Sequence, residues 1–106
     1  MKTEKKAARL TFNGEDLIIS TASYAGSRAM AVVAQCADGE PYAKVSTNLD
    51  ELPAPNCFWL KDWSENEPLA GALIAAGVIE LTGRAVPSGF VTVKEARFRR
   101  SEGEAR

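Results

Sequence analysis

The sequence predicts an α+β fold: a mostly antiparallel sheet of five to six strands with one main helix packed on one face. Two turn signals, Asn13-Gly14 and Asp38-Gly39, separate apolar segments in the first half of the chain. A single apolar stripe with helical spacing comes late, between Ser64 and Gly77, and a strand-like segment follows it. This order differs from the βαβ alternation that builds parallel sheets, so we expect antiparallel pairing.

The length and composition are those of one domain of a globular protein. The chain has 106 residues, of which 45 % are hydrophobic and 25 % are charged, and both shares are ordinary. We expect residues 7–98 to be ordered, between a frayed basic N-terminal tail and a polar C-terminal tail. No apolar run approaches the roughly 20 residues of a membrane span, and no signal-peptide core follows the charged start. The sequence therefore predicts a cytoplasmic protein with no membrane partner.

The first hairpin is predicted over residues 8–21. Residues 8–12 alternate between apolar and polar side chains, and residues 16–21 read as the return strand. Asn13-Gly14 between them suits a type I′ turn, because both residues tolerate a positive φ. Residues 23–27, which include a glycine, predict a further turn.

The next segment, residues 28–35, is apolar on both faces. Its alanines favour a helix, but it is short and contains two adjacent valines, which favour a strand. We expect a central strand here. Asp38-Gly39 then predicts a second hairpin turn, with residues 42–47 as the partner strand and with Ala43 and Val45 pointing inward.

A proline-containing loop and a short strand precede the helix. Residues 48–56 include Pro53 and Pro55 and predict the loop. Residues 57–60, Cys-Phe-Trp-Leu, predict a short hydrophobic strand.

The helix has predicted start and stop signals. Ser64 and Glu67 have the spacing of a capping box, and Pro68 falls in the first turn, where a missing N–H costs little. Gly77 suits the left-handed position after the last turn, with Val78 folding back as its hydrophobic partner. The predicted buried stripe consists of Leu69, Ala72, Leu73 and Ala76.

The last part of the chain predicts strand, loop and strand. Residues 78–81 predict a short strand or extended exit from the helix. Gly83 to Gly89 predict a loop whose glycines supply special backbone angles. Residues 90–98 predict the closing strand, with Val91 and Val93 on one face.

The residue types that most often carry catalysis are missing. The chain has no histidine, the usual general base near neutral pH, and no nucleophile elbow or Ser-x-x-Lys pair. The glycines of the predicted loop lack the Gly-Lys-Ser/Thr ending of a phosphate loop. Cys36 and Cys57 stand alone in the sequence, so they predict free thiols, with no disulfide and no zinc site. We therefore expect no catalytic residue, no metal and no cofactor.

Charge is distributed unevenly along the chain. Residues 13–93 carry ten acidic and four basic side chains, whereas both ends are net basic. The acidic stretch favours either a solvated face or a surface that meets a basic partner. Trp63 within it is either a hydrophobic staple on Pro68 or an exposed anchor. The predicted partner-binding residues are Asp50, Glu51, Asp62, Trp63, Glu65 and Glu67.

A second surface is possible at the basic end. The basic residues there favour either a solvated face or a surface that contacts phosphates. Arg84 is interpreted either as a solvated arginine or as a fork that ties its loop to a carboxylate, with a functional role as the third choice. The predicted nucleic-acid-binding residues are Lys94, Arg97, Arg99 and Arg100.

The C-terminal half resembles a family of small bacterial proteins known only as a domain of unknown function, carried on conjugative elements and phages. The resemblance lies in residues 77–84 (Gly-Val-Ile-Glu-Leu-Thr-Gly-Arg), in Ser88-Gly89-Phe90, in Phe98 and in Asn56-Cys57. It covers residues 49–98 and is most specific in its last third. It implies no activity, but it implies a setting among accessory proteins of mobile elements, which often block host machinery.

Together these observations predict a non-enzymatic binding protein of a mobile genetic element. An inhibitor of a host defence nucleoprotein, of the anti-CRISPR or antirestriction type, is the form that we expect, with an unidentified protein partner. The alternative is a nucleic-acid-binding accessory module that uses the basic C-terminal segment, and an enzyme comes third. The sequence leaves the oligomeric state open.

Overall fold

The computed structural model describes residues 5–23 and 29–99, and within them the chain forms eight strands and one α-helix. The helix α1 spans Glu67–Ala75 and follows a single 3₁₀ turn over Ser64–Asn66. The predicted tail at residues 101–106 and nearly all of the predicted turn at residues 23–27 lie outside the described residues. The strands are β1 (Lys5–Phe12), β2 (Glu15–Ser23), β3 (Met30–Cys36), β4 (Pro41–Lys44), β5 (Ser46–Thr47), β6 (Cys57–Leu60), β7 (Ile79–Ser88) and β8 (Val91–Phe98).

The strands form two antiparallel sheets of four. The first sheet has the order β1-β2-β3-β4 and the second has the order β5-β6-β8-β7. The α+β class is confirmed, but the number of strands and their division between two sheets differ from the single sheet that the sequence predicts. The difference has two sources, a strand divided at Val45 and a predicted loop that is in fact part of β7.

Val45 joins the two sheets. The strand predicted over residues 42–47 is present, but it separates at Val45 into β4, in the first sheet, and β5, in the second. The Val45 amide donates to the carbonyl oxygen of Val32 (2.8 Å), and the Val45 carbonyl accepts from the Lys61 amide (2.8 Å). One residue therefore bonds to a strand of the first sheet through its N–H and to the end of β6 in the second sheet through its C=O.

The first hairpin and the central strand are confirmed. Asn13 and Gly14 have φ values of 53° and 78°, as a type I′ turn requires. The ambiguous apolar segment is a strand, β3, with Val32 and Ala34 buried. Lys5 and Lys6 belong to β1 rather than to a frayed tail.

The predicted capping box at the helix start is wrong. The helix begins at Glu67 with Asn66 as its N-cap residue, and no side chain caps either the helix or the 3₁₀ turn. Ser64 has a φ of 57°, so its backbone is not that of an N-cap residue. The buried Asn66 side chain instead donates to the carbonyl oxygens of Lys44 and Lys61. The helix start is therefore fixed by the ends of β4 and β6.

The predicted helix end is confirmed. Gly77 has a φ of 77°, its amide donates to the Ile74 carbonyl (3.0 Å), and the Val78 amide donates to the Leu73 carbonyl (3.0 Å). These two bonds define a Schellman motif. The buried face differs in part from the predicted stripe: Leu69 and Leu73 are buried as expected, but Ala70 is buried with them, whereas Ala72 is half-buried and Ala76 is exposed.

One hydrophobic core lies between the two sheets and the helix. The helix contacts β1 and β7, which are the outer strands of the first and second sheets. It thus closes the side of the molecule opposite Val45. The buried cluster draws on every layer: Leu17, Ile19, Val32, Ala34, Val45, Phe58, Leu60, Leu69, Ala70, Leu73, Ile79 and Ala96.

The stretch from Gly83 to Gly89 is not a loop. It lies in β7 up to Ser88, and the pairing with β8 shifts between Leu81, opposite Ala96, and Ala85, opposite Lys94. Three residues of β7 therefore face Glu95 alone, which makes a special β-bulge with two residues more than the partner strand. Gly83, with a φ of 99°, supplies the unusual backbone angle inside this bulge.

Candidate protein-binding surface

The β-bulge of β7 assembles a polar cluster around Glu95. The Glu95 side chain is buried, with 3 % of the residue exposed. Its carboxylate accepts from the Thr82 hydroxyl (2.6 Å), from Arg84 Nη1 (3.1 Å) and from the Ala54 amide (2.8 Å). The bulge of β7 gathers Thr82 and Arg84 around the same carboxylate.

These bonds decide the charge state of Glu95. Burial is the largest single influence and alone would raise the pKa of the carboxyl. The hydrogen bonds from Ala54, Thr82 and Arg84, together with the Arg84 charge, outweigh it, so the pKa is lowered from its ordinary value. Glu95 is therefore a carboxylate at neutral pH, and it serves as an anchor and not as a proton donor.

Arg84 is the fork that the sequence allowed as one of its interpretations. Its Nη2 atom is 2.6 Å from Glu51 Oε2, and its Nη1 atom also lies 3.3 Å from the Leu52 carbonyl oxygen. The guanidinium carbon lies 5.1 Å from the centre of the Trp59 ring, within the range of a cation–π contact. Hydrogen bonding to Glu51, followed by the smaller effects of Glu95, keeps the pKa of Arg84 above its usual value despite partial desolvation.

The cluster fastens the proline-containing loop, residues 48–56, to the second sheet. Trp59 Nε1 donates to the Glu51 carbonyl oxygen (2.7 Å), and the Ala54 amide is held by Glu95. Trp59 is 1 % exposed, so the loop is a fixed cover and not a free segment. Sequence reasoning found Arg84 and Glu51 but missed Glu95, whose only signal was an acid at an inward position of a strand.

The structure separates the predicted acidic residues into paired and unpaired groups. Glu51 pairs with Arg84, and Asp62 pairs with Lys94 at 3.1 Å. Asp50, Glu65 and Glu67 are exposed and form no ion pair with any residue of the described part of the chain.

Trp63 is half-buried and directly precedes the 3₁₀ turn. The predicted staple geometry is wrong, because the N-cap is Asn66 and Pro68 is therefore the second residue of the helix and not the fourth. The helix start accordingly presents Glu65 and Glu67 beside a partly covered tryptophan.

The predicted basic surface is largely neutralised within the chain. Lys94 pairs with Asp62, and both Arg97 (2.7 Å) and Arg99 (3.7 Å) approach the carboxylate of Glu80. Arg97 Nε donates to the Glu80 carboxylate, and this hydrogen bond raises the pKa of Arg97. Arg100, the fourth predicted residue, lies outside the described residues.

The turn between β7 and β8 exposes an aromatic side chain. Phe90, expected as the first residue of the closing strand, is instead the second residue of a two-residue turn and has a relative exposure of 108 %. Gly89 before it has a φ of 62°, which suits the first position of a type II′ turn. Sequence reasoning missed this exposure because the strand was expected to begin one residue too early.

A cleft of about 580 Å³ lies between the loop at residues 52–57 and the ends of β2 and β3. Its described lining carries no charged side chain, so the cleft offers no acid–base pair.

Cys57 at the rim of this cleft is a free thiol, as is Cys36, and burial is the main influence that raises the pKa of both. The described residues bring no three cysteine, aspartate or glutamate side chains together as a metal site.

The fold and this surface define a small α+β domain of two four-stranded antiparallel sheets with a fixed loop and an acidic helix start. Within the described residues, no helix is long and apolar enough to cross a membrane. No family model, no curated protein and no solved structure matches the chain.

Proposed function

We propose that the chain is a non-enzymatic binding protein that acts by covering a basic surface of a protein partner. The observation that carries the proposal is the unequal pairing of charges between residues 50 and 99. Four of the five bases in this segment pair with carboxylates. Within this segment, the charges without an ion pair to any described residue are Asp50, Glu65 and Glu67 against Lys61 alone.

Unpaired exposed carboxylates favour a cationic partner. They raise the rate of encounter with a surface of opposite charge and disfavour partners of like charge, including nucleic acid. The described part of the basic strand retains one net positive charge for phosphates, because the three bases Lys94, Arg97 and Arg99 face only the two carboxylates of Asp62 and Glu80. The surface therefore fits a protein whose own basic groove binds nucleic acid.

The resemblance of the C-terminal half to proteins of conjugative elements and phages gives the proposal its setting. In that setting, the partner is a host defence nucleoprotein, and the chain inhibits it in the manner of an anti-CRISPR or antirestriction protein. The cleft beside residues 52–57 has no acid–base pair in its described lining, which supports blockage over chemical modification as the mode of action there.

The test compares two double charge reversals that change the net charge equally. Glu65→Lys with Glu67→Lys alters the helix start, whereas Glu15→Lys with Glu40→Lys alters exposed turns of the first sheet. Proteins captured from host extract by the wild-type chain are identified by mass spectrometry, and their recovery is measured at low and high salt. We expect the helix-start variant to lose the salt-sensitive partner and the control to keep it.

Two outcomes would overturn the proposal. Equal recovery with both variants would mean that the acidic helix start does not bind the partner. Retardation of duplex DNA by the purified chain at moderate salt, abolished by Arg97→Gln with Arg99→Gln, would favour the nucleic-acid-binding alternative.

A further inference from the structure

The end of the β7–β8 hairpin is free of charge. Residues 85–93 read Ala-Val-Pro-Ser-Gly-Phe-Val-Thr-Val and contain no charged side chain; we call this segment the hairpin tip. Ala85, Pro87, Phe90 and Thr92 are exposed. In a chain with 25 % charged residues, an exposed uncharged segment of this length indicates a contact surface.

Phe90 contributes nothing visible to the fold. Its relative exposure of 108 % exceeds that of every other large hydrophobic side chain among the described residues, the next being Leu52 at 44 %. The turn needs glycine at position 89 for its positive φ, but it needs no aromatic residue at position 90. The hydrogen-bonded hairpin already orders the backbone that carries the ring, so binding has to order only the Phe90 side chain, which favours its use as an anchor.

We propose that Phe90 inserts into an apolar pocket of the partner, next to the basic surface that meets Glu65 and Glu67. This deepens the proposed function and rests on it. The geometry brings the two features together, because the Lys94–Asp62 ion pair (3.1 Å) joins β8 to the segment just before the helix start. At about 3.3 Å per residue, Phe90 lies roughly 13 Å from Lys94 along the strand. One partner footprint of ordinary size spans both features.

The charges beside the hairpin tip favour a protein over a lipid surface. Lys94 is paired with Asp62, and Arg84 is paired with Glu51 and Glu95. The cations that flank the hairpin tip are therefore not free to attract anionic headgroups. Anionic headgroups also repel the unpaired acids at the helix start.

The same charges disfavour a second copy of the chain. Within residues 50–99 of a second copy, Lys61 is the one base without an ion pair in the described structure, so a symmetric pair would give Glu65 and Glu67 little basic surface to meet. The fitting pocket is thus one that is apolar at its base and carries lysine or arginine at its rim.

The experiment places a photo-crosslinker at the anchor position. The variant Phe90→p-benzoylphenylalanine is irradiated in host extract, and the crosslinked peptide of the partner is mapped by mass spectrometry. Unlabelled competitors are then titrated: wild type, Phe90→Ser, Ile74→Gln as a control for loss of another exposed apolar side chain, and Glu65→Lys with Glu67→Lys. Thermal unfolding confirms that each competitor is folded.

We expect one product, mapped to an apolar site with basic neighbours. Phe90→Ser should need at least tenfold more protein than wild type to suppress this product, whereas Ile74→Gln should compete as wild type does.

If Phe90→Ser competes equally and the helix-start variant does not, the anchor is refuted and the proposed function stands. If the helix-start variant competes equally and Phe90→Ser does not, the anchor stands and the acidic surface is refuted. Phe90-dependent binding to phosphatidylcholine–phosphatidylglycerol vesicles, or Phe90-dependent self-association in light scattering, would refute the protein pocket.

Discussion

At the scale of single residues, Glu95 determines how the loop and the second sheet are held together. A buried carboxylate is costly unless its lone pairs are satisfied, and here three donors from two segments, the proline-containing loop and β7, satisfy them. Removing the charge of Glu95 should therefore lower the free energy of unfolding more than removing the charge of Glu51, the exposed partner of Arg84.

We expect Glu95→Gln to lower the free energy of unfolding at pH 7 by about 2–3 kcal/mol, because hydrogen bonds to a charged, buried acceptor are lost. Glu51→Gln is the matched control, since it also removes a carboxylate from Arg84, but one whose side chain is 55 % exposed. That substitution should cost less than about 1 kcal/mol. Urea titration followed by fluorescence measures both, and equal costs would show that the Glu95 cluster has no special role.

The lowered pKa of Glu95 has a consequence for acid stability. A carboxyl whose pKa is lower in the folded chain contributes stability above its unfolded pKa, about 4.3, and loses that contribution as the pH falls through the folded value. We therefore expect the difference in unfolding free energy between wild type and Glu95→Gln to be greatest near neutral pH and to shrink below about pH 4. Urea titrations between pH 7 and pH 3 test this, and a constant difference would contradict it.

The sequence predicts one part of the Glu95 cluster, the arginine fork, but not the buried carboxylate that the fork contacts. An arginine next to a glycine, close to prolines and acids, predicts a fork, and Arg84 is one. Its second partner, Glu95, was not predicted, because Arg84 was expected in a loop, whereas it lies in a bulge where three residues of β7 face one of β8. No periodic pattern in the sequence encodes a bulge of that kind.

At the scale of elements, the two ends of the helix differ in how far the sequence determines them. The Schellman end depends on the backbone freedom of Gly77, which is a local property, and it was predictable. The start depends on two carbonyl groups, that of Lys61, five residues before Asn66, and that of Lys44, which is 22 residues away in sequence. A capping box is also a local pattern, but tertiary bonds replace it here.

A capping box predicts that substituting Ser64 lowers the free energy of unfolding more than substituting Asn66. We expect the opposite order. Asn66→Ala removes the donor of two buried carbonyl groups, so we expect a loss of about 1–3 kcal/mol in unfolding free energy. Ser64→Gly should be neutral or stabilising by up to about 1 kcal/mol, because Ser64 makes no capping bond and has a positive φ. Thermal unfolding and urea titration measure both. A larger loss for Ser64→Gly than for Asn66→Ala would restore the capping box.

At the scale of the whole molecule, local signals predict strands well and their assembly poorly. Each of the two predicted hairpins is present, and β6 has the predicted bounds. The division into two sheets depends on Val45, whose sequence signal is only that of an inward strand residue. Its N–H and C=O bond to different sheets, and that property belongs to three-dimensional packing and not to the pattern of the strand.

Because both sheets and the helix share one buried cluster, the described fold should unfold as a single cooperative unit. Leu73, fully buried on the helix, tests this. Leu73→Ala should cost about 2–5 kcal/mol by leaving a cavity, and the loss should appear equally in both sheets. Tryptophan fluorescence reports on the second sheet, and amide hydrogen exchange in β2 and β3 reports on the first. Ile74→Ala, at the neighbouring half-exposed position, is the control and should cost about 1 kcal/mol or less. If Leu73→Ala weakened the fluorescence transition and left exchange in β2 unchanged, the two sheets would be independent units joined only at Val45.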